Sequence, residues 1–214
     1  MHDNLDDRVG RFEAALLSLD TGAARNLLMG DEGQPLPLER VEGIIVSALE
    51  HIGQGWEDGT VALSQVYMSG RQCERLMDEL RPDAASVHSS GKRIAIVVLE
   101  DYHFLGMRLV SSVLRASGFT IIDYGRMDVD SLADRAGSDR IDILLVSVLM
   151  LRSALRVREL RHKLDEGGRR IALAVGGAPF RLDKALWREV GADGSSDSAA
   201  GAVALVRRLA GEVA

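Results

Sequence analysis

Leu99-Glu100-Asp101-Tyr102-His103-Phe104-Leu105-Gly106 stands where an apolar run ends and an amphipathic one begins. Upstream, Arg93-Ile94-Ala95-Ile96-Val97-Val98-Leu99 is continuous, apolar and rich in β-branched residues. That is the composition of a strand buried on both faces, and it is too short to span a membrane. Downstream, Leu109, Val110, Val113 and Leu114 recur at helical spacing until Gly118. His103 therefore falls in a βα loop at the carboxyl end of a strand, where α/β sheets bind ligands. The Asp-x-His spacing puts Asp101 and His103 on one side of an extended loop. The carboxylate can then orient the imidazole and leave its second nitrogen for a metal, while Gly106 removes a side chain where something bulky approaches. Taken alone, these residues suit an ordinary loop better, one whose Asp caps the helix and whose His is solvated.

Outward from this loop, strands are expected over residues 94–99, 119–123, 141–148 and 171–175, with amphipathic segments between them. A very short last strand near Ala192-Asp193-Gly194 and a closing helix over 199–209 complete the pattern. Alternating strands and helices predict a parallel sheet. Right-handed crossovers put helices on both faces, and the expected order 2-1-3-4-5 places a switch point between the first and third strands, with His103 and Ser147 at its rim. Before the sheet, residues 5–80 read as helical: Val9, Phe12, Leu16 and Leu17 form one stripe, and Val41, Ile44, Ile45, Ala48 and Leu49 another. A break over 30–38 separates them, and a further helix starts near Ser64 and runs through Cys73 to Leu80. The fold class is thus α/β: an N-terminal antiparallel helical bundle, then a flavodoxin-like (Rossmann-like) doubly wound parallel five-stranded sheet. The expected domains are 1–85 and 92–214. Residues 86–91 form a linker within the Pro-, Ser- and Ala-containing stretch 81–91, which could act as a hinge.

The chain has 214 residues, 46% of them hydrophobic, enough for two modest cores. No secretory pattern opens it and no apolar stretch reaches membrane-spanning length, so a cytoplasmic location is expected. A single cysteine, Cys73, excludes an internal disulfide framework and reads as a buried helix residue. A net charge of −6 argues against electrostatic nucleic-acid binding. Its densest basic patch, Arg152, Arg156, Arg158 and Arg161, reads as the solvated face of a helix. No Ser-His-Asp spacing, Walker loop or zinc motif is present. Gly53-Gln54-Gly55-Trp56-Glu57-Asp58-Gly59 reads as a glycine-punctuated turn carrying an aromatic, with Trp56 either plugging the bundle or covering a ligand.

Asp101-Tyr102-His103-Phe104-Leu105-Gly106 resembles the Asp-x-His-x-x-Gly signature of cobalamin-binding proteins. That family includes methionine synthase, the methanol and methylamine corrinoid proteins and the cobalamin-dependent photoreceptors. The family's Ser-x-Leu is matched by Ser147-Val148-Leu149 and its Gly-Gly by Gly176-Gly177. Ser153 matches the serine that completes a His-Asp-Ser relay in the methionine synthase branch. The resemblance implies cobalamin bound base-off/His-on, with His103 as the metal ligand and Asp101 and Ser153 tuning it. Ser147, Gly176 and Gly177 would line a slot for the nucleotide tail, although Gly177 also suits a tight turn alone. The resemblance extends to a helical cap, with Trp56 and Tyr67 or Met68 over the upper face of the corrin. Adenosyl-binding photoreceptors carry a Glu-His pair where this chain has Val66-Tyr67, which favours methylcobalamin or hydroxocobalamin over adenosylcobalamin. The function implied is a corrinoid subunit carrying a methyl group between partner methyltransferases, with room for a reductive activator and for a homodimer. Phe104 and Met107 stand where many methyl carriers have Asp and Lys. That departure leaves open a cobalamin-dependent or light-responsive sensor acting through a protein partner.

Overall fold

The computed structural model describes residues 5–30, 33–80 and 91–211, and the chain divides into two compact units, Met1–Arg81 and Pro82–Ala214. Most of the expected linker 86–91 lies outside the described residues.

The first unit packs four helices: α1 (Leu5–Leu17), α2 (Thr21–Leu27), α3 (Leu38–Glu57) and α4 (Leu63–Glu79). Apolar residues at helical spacing give each a buried stripe. Val9, Phe12 and Leu16 of α1 meet a core that holds Val41, Ile44, Ile45, Ala48 and Ile52 of α3 and Cys73, Leu76 and Met77 of α4. The expected stripes hold except at Leu17 and Leu49, which are only half buried. Helix α2 was hidden inside a short polar-looking segment; it is started by Asp20, whose side chain accepts from the Ala23 N–H at 2.9 Å. The Gly53–Gly59 stretch is not the expected turn, because α3 continues through Trp56 to Glu57. The chain turns only after Asp58, where the Thr60 and Val61 amides fold back onto the Gly55 carbonyl.

The second unit is a five-stranded sheet in the order β2-β1-β3-β4-β5, with every strand pair parallel. The strands are β1 (Ile94–Leu99), β2 (Ile121–Met127), β3 (Ile143–Ser147), β4 (Ala172–Gly176) and β5 (Gly194–Ser196). β1 is buried along its whole length, as its unbroken apolar run requires, whereas the edge strand β2 alternates. β2 starts later and ends later than expected, because Phe119 and Thr120 only complete the turn after α5 (Leu105–Ala116). One face of the sheet is covered by α6 (Val129–Ser138) and α7 (Leu151–Glu166), with the short α8 (Ala178–Leu182) and α9 (Leu186–Glu189), neither of which periodicity foretold. The other face is covered by α5 and α10 (Ala199–Ala210). Because β3 lies beside β1 while β2 occupies the far side, the connections leave β1 and β3 in opposite directions. The crevice at their carboxyl ends is where a doubly wound sheet holds a ligand.

The basic patch is only partly a solvated helix face. Arg161 is buried on α7, donating to the Ile171 carbonyl at 2.8 Å and pairing with Asp193, and Arg158 donates to the Glu189 carbonyl. Arg152 remains exposed.

Candidate functional site at the carboxyl edge of the sheet

β1 ends at Leu99, and the next residue, Glu100, takes a left-handed conformation with φ 48°. This turn directs Asp101 back under the sheet edge and His103 outward: Asp101 is 3% exposed, while the His103 side chain is 54% exposed. His103 Nδ1 and Asp101 Oδ1 lie 2.5 Å apart. A carboxylate only accepts, so Nδ1 carries the shared proton, and in the neutral ring that tautomer leaves the lone pair on Nε2.

Asp101 Oδ1 also accepts from the Tyr102 N–H at 2.7 Å and the His103 N–H at 3.3 Å. Its Oδ2 accepts from the Leu149 and Met150 N–H groups at 2.8 and 3.0 Å. Met150 is the N-cap of α7, so the carboxylate sits at the positive end of a 16-residue helix. Burial alone would raise its pKa, but His103 and the backbone amides of Leu149, Met150 and Tyr102 outweigh it and bring the value down to about 2. Asp101 is thus a fixed anion. It does not cap α5, whose N-cap is Phe104 with no side-chain bond, so the ordinary-loop alternative fails on its Asp.

Ser153, buried on α7, donates to the Glu100 carbonyl at 3.2 Å, so it reaches the Asp101–His103 pair through the preceding residue's backbone. Leu149 is anchored by its amide while its side chain is exposed, as are those of Met150 and Leu151. Phe104 and Met107, the two apolar departures, belong to the core beneath α5: Met107 is buried there and Phe104 packs against it.

In strand register, Val98, Ser147, Gly176 and Ser196 form a row across β1, β3, β4 and β5. Three of the four are small, which leaves the sheet edge low beside the crevice. A Cβ on Gly106 would come within 3.3 Å of Ser147 Oγ, so that glycine keeps the hydroxyl uncovered. Gly176 would meet the Ser196 carbonyl at 3.4 Å. Gly177 is a different case: its φ is 120° and a Cβ would lie 1.7 Å from the Val148 carbonyl oxygen. The backbone there demands glycine whether or not a ligand is bound, which answers for the tight-turn alternative.

On the first unit, Trp56, Tyr67 and Met68 are all exposed, with Trp56 at 49%, so Trp56 does not plug the bundle core. Sequence reasoning missed Glu100, Met150, Ser196 and the Tyr102–Arg126 pair, in which the guanidinium lies 4.2 Å over an exposed ring. For Glu100 no local signal exists, since a left-handed glutamate looks like any other.

Among the described residues, no group of three or more His, Cys, Asp or Glu side chains is arranged to hold a bare metal ion. An oriented, exposed imidazole alone suits a metal that arrives with its other ligands already in place, and the low edge beside it suits an elongated appendage of the same group. Comparison with known proteins agrees. Residues 91–204 and 5–81 each match a family described as B12 binding domain. Monomethylamine corrinoid protein 1 of Methanosarcina barkeri is 34% identical over 159 residues, which are 70% of this chain and 72% of that one. Trimethylamine corrinoid protein 1 of Methanosarcina acetivorans is 28% identical over 181 residues, 81% of this chain and 82% of that one. The Methanosarcina barkeri monomethylamine corrinoid protein structure superposes with a TM-score of 0.77 at 24% identity, covering 92% of this chain and 96% of its own. An oriented His on a 2-1-3-4-5 sheet, preceded by a helical unit and matched along both halves, makes this chain a member of the two-domain, B12-binding corrinoid protein family.

Proposed function

We propose that this chain carries a methyl group on cobalamin between partner methyltransferases, with His103 Nε2 as the lower ligand in the base-off/His-on state. The observation that carries the reading is the 2.5 Å Asp101–His103 contact, which engages Nδ1 and leaves Nε2 as the ring nitrogen to meet a metal on an exposed side chain. Cobalamin, when bound, supplies a cobalt centre able to take up and release a methyl group. Asp101 accepts from Nδ1–H and so orients Nε2 as the ligand atom, and the Leu149 and Met150 amides keep Asp101 ionised while it does so. Ser147 offers a hydroxyl to the nucleotide tail in the slot beside Gly106, Gly176 and Gly177. Leu149 adds an apolar wall. Ser153 holds the backbone leading into the pair.

The domain division 1–85 and 92–214 serves this reading, with the first part as a cap. Exposed Trp56, Tyr67 and Met68 are the apolar surface that would cover the upper face of the corrin. Methylcobalamin or hydroxocobalamin suits the chain better than adenosylcobalamin. The partners called for are a methyl-donating and a methyl-accepting methyltransferase, with a reductive activator. The sensor alternative drew on Phe104 and Met107, and both are accounted for by packing under α5.

The test is reconstitution with hydroxocobalamin, reduction, and exposure to methylated amines and methanol with cell extract. Wild type is expected to show the spectral change of cobalt methylation, and His103→Ala to lose the histidine-ligated spectrum. Asp101→Ala should weaken ligation by about ten- to a hundred-fold. Failure on every substrate, together with cobalamin- or light-dependent binding to a regulatory protein, would overturn the carrier in favour of the sensor.

A further inference from the structure

Glu100 is the hinge between β1 and the Asp101–His103 pair, and it is held in a conformation that a residue with a Cβ rarely adopts, with φ 48°. Such a conformation persists only where the surroundings over-determine it. All three polar groups of Glu100 are engaged. Its N–H donates to the Met127 carbonyl at 3.0 Å, and its own carbonyl accepts from Ser153 Oγ at 3.2 Å. Its carboxylate accepts from Arg156 Nε at 3.2 and 3.3 Å and from Arg156 Nη2 at 3.3 Å. Arg156 is itself fixed along α7 by Glu159.

None of these bonds touches His103. They set the direction in which the chain leaves β1. Asp101, the next residue, is tied to the Leu149 and Met150 amides that lead into the same helix. Residues 100 and 101 are therefore both referenced to α7, one by an ion pair and one by amide bonds, and the imidazole two residues on takes its aim from both. A glycine at position 100 would adopt the same φ without strain but would carry no tether to α7.

We propose that Glu100 and Arg156 are positioning residues for the His103 ligand: their ion pair locks the left-handed turn at residue 100 and so fixes the angle at which the imidazole leaves the loop. The inference rests on the reading of His103 as the cobalt ligand. The test uses the full chain as Glu100→Gly, Arg156→Gln, the double variant and Arg156→Lys. Amide hydrogen exchange at Tyr102 and His103 reads the loop without cofactor. Nitrogen superhyperfine splitting in the electron paramagnetic resonance of the cobalt(II) form, after loading with hydroxocobalamin and reduction, reads ligation.

Each single variant is expected to speed exchange at Tyr102 and His103 and to weaken the histidine-ligated state by about two- to five-fold, the range of partly exposed ion pairs. The double variant should add nothing to either single one, because the two residues act through one contact. Arg156→Lys should restore part of the loss. A wild type without nitrogen splitting overturns the ligand reading and this proposal with it. A wild type with splitting that neither single variant diminishes overturns this proposal alone.

Discussion

Five donor groups meet the two oxygens of Asp101: the amides of Tyr102, His103, Leu149 and Met150 and the His103 ring. The His103 ring and the amides of Leu149, Met150 and Tyr102 outweigh burial and bring its pKa to about 2, against about 3.9 for an unfolded aspartate. A carboxylate shifted down stabilises the fold above the unfolded value, and the contribution fades as pH falls from about 4 towards 2. Asp101→Asn is expected to cost on the order of 2 kcal/mol at neutral pH, with the gap closing over that acid window. Denaturant unfolding of both proteins across the window checks this, and a gap independent of pH would contradict it. The glycines separate just as sharply. Gly177→Ala pushes a Cβ to 1.7 Å from the Val148 carbonyl oxygen at a φ of 120°, and should destabilise the apoprotein by about 3 kcal/mol or more in thermal melts. Gly106→Ala meets only a hydroxyl, at 3.3 Å, so its melt should stay near wild type while cobalamin affinity falls. A lowered melting temperature with unchanged affinity would return Gly106 to a purely structural role.

Helix α7 does more than cover the sheet. Its inward stripe, Ala154, Val157, Leu160 and Leu164, is core; the amides leading into it hold Asp101; Ser153 and Arg156 hold Glu100; and Arg161 ties its far end to Ile171. Periodicity finds the core stripe of such a helix but not its polar contacts, which connect residues from 10 to 56 positions apart. That is why Arg156 and Arg161 read as a solvated patch when only their spacing is known. Helix α4 offers a cleaner case, since Cys73 was recognisable as a buried helix residue and is buried. Burial, with Glu74 beside it, pushes its thiol to about 12. Alkylation of Cys73 at pH 8 should therefore be far slower than that of a free thiol until the helical unit opens. Labelling of the native protein at the free-thiol rate would contradict the packing of α4.

At the scale of the whole molecule, a ligand that binds only the folded state stabilises it by about 2.7 kcal/mol at a hundred-fold excess over its dissociation constant. Hydroxocobalamin should raise the unfolding midpoint of the α/β unit accordingly, and His103→Ala should lose part of the rise. If the helical unit covers the corrin, as proposed, Cys73 labelling should slow on loading as well, and Trp56→Ala should lessen that slowing. Loading that protects the α/β unit and leaves Cys73 labelling unchanged would confine the cofactor to that unit. Among the described residues, no helix is long and apolar enough to cross a membrane.

The sequence alone determined the sheet and the residues at its edge. An unbroken apolar, β-branched run such as 94–99 reads as a doubly buried parallel strand, and the alternation of such strands with helices leads to the order 2-1-3-4-5 that the sheet adopts, with Asp101, His103, Ser147 and Gly176 on one rim. Tertiary structure alone decided how that rim is held. The left-handed turn at Glu100, the two amides before α7 that hold Asp101 and the collision that makes Gly177 obligatory all depend on backbone direction and on partners distant in the chain. Neither is encoded in residue type or local spacing. The helical run past Gly53 and Gly55 has the same cause: packing along α1 and α4 outweighs the modest helical cost of two glycines.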